Sequence, residues 1–135
     1  MSPPPLQRAT VLYDRDCRFC IWSLAKVLAW DRRKRLRPVA LQDAEAAELL
    51  PWMGIDRRMA SWHLVTPDGR VASAGRAFGP LLRRLPGGWP LAALVERFPR
   101  AADRVYFAVA DRRSTLGRLL PAGVRNRARG RVEAR

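Results

Sequence analysis

Two cysteines with two residues between them, Cys17-Arg18-Phe19-Cys20, stand where a short apolar stretch gives way to a helical one. That junction restricts the chain more than any other feature. Ala9 to Tyr13 reads Ala-Thr-Val-Leu-Tyr, a run expected to form a strand, and Asp14-Arg15-Asp16 breaks it. From Cys17 to about Trp30, the residues Phe19, Cys20, Ser23, Leu24, Val27 and Leu28 recur at three- and four-residue steps, the period of a helix with one buried face, which Asp31-Arg32-Arg33-Lys34 is expected to stop in solvent. Two thiols three positions apart on a first helical turn lie on one side, within a disulfide's usual Cα separation of roughly 4.4–6.8 Å. The pair can close without breaking the helix.

The thiolate is the reactive form of cysteine, and the free amides and positive dipole end of a helix N-terminus stabilise it. This marks Cys17 as the nucleophile. Cys20, one turn further in and on the packed face, is expected to resolve the mixed disulfide. Arg15 and Arg18 favour the thiolate, whereas Asp14 and Asp16 oppose it through like charge. Asp16 also reads as an N-cap, and either carboxylate, if buried, as the proton acceptor for Cys20. Phe19 and Trp62 are candidates for an apolar substrate-docking surface beside the thiols.

Beyond the first helix, Leu36 to Leu41 reads as a second strand, with Pro38 pointing to an edge or a strand end. Asp43 is placed to cap a short helix that Pro51 and Gly54 close. Trp62 to Thr66 and Arg70 to Ser73 form two strands of a hairpin around Pro67-Asp68-Gly69. A helix from about Arg76 to Leu85 ends at Pro86-Gly87-Gly88. Strand, helix, strand, helix, hairpin, helix is the order of the thioredoxin fold, an α/β class with a central mixed sheet of about four strands and flanking helices. A C-terminal helical extension follows: Leu91 to Phe98, then about Ala101 to Leu120, whose Val105, Ala108, Val109, Leu116 and Leu119 are expected to pack on the domain.

A chain of 135 residues suits one domain, read here as residues 9–120, preceded by a flexible N-terminus (1–8) and followed by a basic, disordered tail (121–135). No segment approaches the roughly 18 apolar residues of a membrane span, and the N-terminus lacks the apolar stretch of a signal peptide, so a cytoplasmic location is expected. Thiols are kept reduced there, which favours a reactive pair over a structural staple. The formal charge of +14 is almost entirely arginine. It gathers at Arg32, Arg33, Lys34, Arg35 and Arg37, and again from Arg112 to Arg135, where Glu133 is the only acid. Such a basic C-terminus is a route to a weakly held anionic partner, although no nucleic-acid motif accompanies it.

The octet Tyr13-Asp14-Arg15-Asp16-Cys17-Arg18-Phe19-Cys20 after a short strand resembles the signature of the DCC family of thiol–disulfide oxidoreductases. The hairpin Val65-Thr66-Pro67-Asp68-Gly69, Gly75-Arg76-Ala77 before a helix, and the late Tyr106 with Ala110-Asp111-Arg112 extend the likeness from Thr10 to Gly117. The resemblance implies a thioredoxin-like fold, a redox-active Cys17–Cys20 disulfide with no other cofactor, and a protein or low-molecular-weight disulfide as substrate. Arg15 stands where the family commonly has glycine, and Asp111-Arg112-Arg113 where Asn-Arg-Tyr is more usual. Thioredoxins and glutaredoxins also carry a cis-proline just before the third strand. Here Met59-Ala60-Ser61-Trp62 holds no proline, so substrate handling is expected to differ.

Two other readings compete. A zinc site needs about four ligands, and only Cys17, Cys20 and His63, with Asp16 as a fourth, are candidates; no metal is expected. The second is a non-catalytic thioredoxin-like binding or redox-switch module that uses its arginine-rich surface.

Overall fold

The computed structural model describes residues 8–134. Strand β1 (Ala9–Tyr13) is paired on both edges and buried on both faces, which accounts for its mostly apolar sequence. Its register is parallel to β2 (Leu36–Ala40), with Val11 opposite Pro38, and antiparallel to β3 (His63–Val65), with Val11 opposite Leu64. Strand β4 (Val71–Ser73) completes the sheet beside β3, giving the order β2-β1-β3-β4. Pro38 therefore sits on an edge strand, where its missing amide is tolerated.

Side chains alternate across β1, so Val11 and Leu12 enter different cores. On one face Val11 joins Ile21, Leu24 and Leu28 of α1 (Arg18–Trp30) and Leu81 and Leu82 of α4 (Phe78–Arg83). On the other, Leu12 packs with Val39, Leu50 and Ala46, the last from α2 (Ala44–Leu49). The protein thus has the mixed four-stranded sheet with flanking helices of a thioredoxin-like α/β fold.

Several local expectations change. Asp31, read as a solvated helix stop, is fully buried: its two carboxylate oxygens accept the amides of Arg35 (3.0 Å) and Leu36 (2.9 Å). The turn from α1 into β2 has amides that need acceptors, and Asp31 supplies them. A short helix α3 (Ile55–Met59) was not anticipated. The helix expected from Arg76 is a 3-10 turn (Ala74–Ala77) leading into α4.

The C-terminal part forms α5 (Trp89–Arg97), α6 (Pro99–Ala110), α7 (Arg113–Arg118) and α8 (Ala122–Glu133). Proline opens α5 and α6 near their first positions, where a missing amide costs nothing. The inward face of α6 is not the expected one: Val105, Ala108 and Val109 are exposed, and Leu119 beyond α7 is 74% exposed. Gly75 fixes the face instead. A Cβ there would run into the backbone of Ala102 and Asp103, so only glycine lets α6 approach this closely. Around this contact Arg76 pairs with Asp103 (3.1 Å), and Tyr106 continues a ring contact from Trp62 through Phe78.

Of residues 121–135, expected to be a disordered tail, Ala122–Glu133 form helix α8 and Arg135 lies outside the described residues. Ala128 and Val132, four residues apart, are buried in the α1 core. Two small apolar residues suffice to seat a helix whose remaining surface is arginine-rich, a stripe too thin to stand out in the sequence. Of the expected flexible N-terminus, residues 1–7 lie outside the described residues, and Arg8 is an exposed bend.

Candidate thiol–disulfide site

Cys17 and Cys20 are joined in a disulfide with Cα atoms 5.2 Å apart, at the end of β1 and the start of α1. Cys17 is itself the N-cap: its backbone is extended (φ −95°, ψ 105°), and its Sγ accepts the amide of Cys20 at 3.2 Å. The capping role expected of Asp16 therefore belongs to the sulfur. In the reduced protein this amide, with the dipole of a 13-residue helix behind it, favours negative charge on Cys17.

The preceding turn is held by its own polar groups. Asp14 Oδ1 accepts the Asp16 amide (2.9 Å) and Gln42 Nε2 (2.7 Å), and the Arg15 amide donates to Gln42 Oε1 (3.1 Å). The Arg15 guanidinium pairs with Asp43, which raises its already high pKa. Arg15 is thus tied to the loop after β2. Asp43, expected to cap α2, makes no side-chain capping bond there. Asp16 is exposed, and Asp14 is half-buried with two donors on one oxygen, so neither is a buried acid.

On the opposite flank an open cleft of about 400 Å³ borders Cys17. Asp14, Asp16 and Arg18 line it from the turn and α1; Arg113, Ser114, Gly117 and Arg118 line it from α7. Cys17 is 8% exposed but forms part of this lining, whereas Cys20 is half-buried and does not. Helix α7 comes this close because Gly117 faces α1: a Cβ there would stand 3.1 Å from Arg18 Cβ and 3.3 Å from the Phe19 amide.

Among the expected docking residues, Phe19 packs its ring on Trp22, with centroids 5.8 Å apart. Trp62 packs on Phe78 (5.2 Å), and its amide donates to the Tyr106 hydroxyl at 3.3 Å. Neither ring lines the cleft. His63 is buried in β3, with Nε2 on the Arg58 carbonyl (2.9 Å) and Nδ1 on Ser73 Oγ (2.5 Å). Burial lowers its pKa from the ordinary 6.5. Among the described residues no cluster of three or more His, Cys, Asp or Glu is placed to hold a metal ion. Also among them, no helix is long and apolar enough to cross a membrane.

Gln42, Asp43, Arg113, Ser114, Gly117 and Arg118 are the neighbours that sequence reading did not bring to the cysteines. The only prior signal was the basic stretch beginning at Arg112. A family model described as DCC1-like thiol-disulfide oxidoreductase matches residues 11–119, from β1 through α7. Neither the curated proteins nor the solved structures gave a match.

Proposed function

The chain belongs to the DCC1-like thiol-disulfide oxidoreductase family, and from that premise we propose that it exchanges its own dithiol for a substrate disulfide, with Cys17 as the attacking sulfur. In the reducing direction the Cys17 thiolate attacks one sulfur of the substrate. One S–S bond breaks, a mixed disulfide forms, and the first substrate thiolate leaves and takes a proton from water. Cys20 then loses its proton and attacks Cys17 Sγ. The Cys17–Cys20 bond closes and the second thiol leaves, so two electrons pass from protein to substrate. The oxidising direction runs through the same steps in reverse.

One observation carries the choice of Cys17: its sulfur both caps α1, accepting the Cys20 amide, and borders the cleft, while Cys20 does neither. A thiolate at a helix N-terminus has a lowered pKa, which makes it the better attacking group at neutral pH and the better leaving group in return. The Cα separation of 5.2 Å lies within the ordinary range for a disulfide, so the helix need not open as the bond closes or breaks.

Titration of the Cys17/Cys20 couple against glutathione buffers tests the proposal. A reduction potential between roughly −270 and −120 mV, the span of known CxxC oxidoreductases, is expected. A pair that stays disulfide-bonded throughout, or never forms the bond, would overturn it.

A further inference from the structure

Arginines from three helices gather near Cys17. The cleft beside the sulfur is lined by Arg18, Arg113 and Arg118, and a second hollow between α1 and α8 is lined by Arg18, Arg125 and Arg129. Arg18 belongs to both, so five guanidinium groups follow one path from Cys17 along α1, against the carboxylates of Asp14 and Asp16. Asp14 already accepts two hydrogen bonds.

Ion pairs hold Arg15 to Asp43, Arg37 to Glu45, Arg70 to Asp68, Arg76 to Asp103 and Arg83 to Glu96. Among the described residues none of the five along the path is in an ion pair. Bringing like charges together without counter-ions opposes folding, and the gain lies in the field they create over the cleft.

We propose that this arginine-lined path selects small disulfides bearing carboxylates, holding the anionic groups on Arg18, Arg113 and Arg118 while the S–S bond meets Cys17. A cleft of about 400 Å³ is in the range that encloses a short peptide or similar small ligand rather than a protein surface. Guanidinium groups bind carboxylates through paired hydrogen bonds, and here they do so next to the attacked bond. The proposal rests on the thiol exchange described above and adds the substrate class.

The test uses the full chain, pre-reduced and freed of reductant. The rate of Cys17–Cys20 closure is followed with oxidised glutathione, an anionic disulfide, and with cystamine, a cationic one. The ratio of the two rates removes any change in thiolate reactivity common to both. Arg113→Gln combined with Arg118→Gln is expected to lower the anionic-to-cationic ratio about tenfold at low salt. Roughly 1 M salt, where the screening length is ~3 Å, should collapse the wild-type ratio similarly. Lysine at both positions keeps the charge without the paired bonds and should restore the ratio only in part, and Arg33→Gln, on the exposed turn after α1, should leave it as it is. A ratio unmoved by the paired Gln substitutions, with both disulfides still reacting, overturns the substrate class alone, whatever salt does to a chain of charge +14. Failure of the wild-type dithiol to react with either disulfide overturns the exchange reading and this one with it.

Discussion

The two flanks of the turn that presents Cys17 use charge in opposite ways. Toward β2, Asp14, Arg15, Gln42 and Asp43 satisfy one another and hold the turn in place. Toward α7 and α8, arginines face a cleft with no ion-pair partner among the described residues. The first flank positions the sulfur and the second is open to an anion. Charge count alone hides this difference, since arginine supplies both sides.

The largest expected effect comes from breaking the open flank. Gly117→Val sets a branched side chain against Arg18 and the Phe19 amide, and should cost about 2–3 kcal/mol in urea unfolding. Because α7 must move off α1, the rates of exchange with oxidised glutathione and cystamine should converge. An unchanged midpoint would mean that α7 is not packed as described. Breaking the closed flank is expected to cost less. Gln42→Ala leaves the Arg15 amide without its partner and takes one of two donors from Asp14 Oδ1 in a partly solvated site, worth about 1 kcal/mol by the same measurement.

A pH titration sharpens the comparison, because neither flank contains a histidine. His63, in β3, has a folded pKa lowered by burial, so the unfolded chain binds its proton first as pH falls. Stability should be complete above the unfolded value near 6.5 and decline below it, with a slope of up to about 1.4 kcal/mol per pH unit. His63→Gln should flatten this slope in thermal melts between about pH 6.5 and 5.5. The smallest effect is expected from Arg15→Gln. Its ion pair with Asp43 is about half exposed on each side, and its loss should leave the urea midpoint nearly where it is.

The sheet and the cysteine junction were legible because their signals are local. β1, α1, β2 and the hairpin each carry a period or a turn within a few residues, and the cysteines stand where strand gives way to helix, although the cap expected of Asp16 falls to the Cys17 sulfur. Asp31 was misplaced because its role depends on amides it meets only after the chain turns back into β2. The face of α6 was missed because the backbone contact of Gly75 with Ala102 decides it, and the more apolar Val105 and Val109 pointed the other way. The site itself divides similarly. Arg15 lies beside the cysteine in sequence, yet turns to Asp43, while Arg113 and Arg118 reach the cleft from almost a hundred residues away in the chain. Adjacency suggested the first, and only packing of α7 on α1 shows the second.

The central claim is that Cys17 is the attacking sulfur, and single-cysteine variants test it most directly. Cys20→Ser and Cys17→Ser are each incubated with oxidised glutathione at neutral pH, and adduct formation is followed by intact mass. Cys20→Ser should trap a mixed disulfide on Cys17 at least about tenfold faster than Cys17→Ser acquires one on Cys20. Equal rates, or faster capture at Cys20, would contradict it.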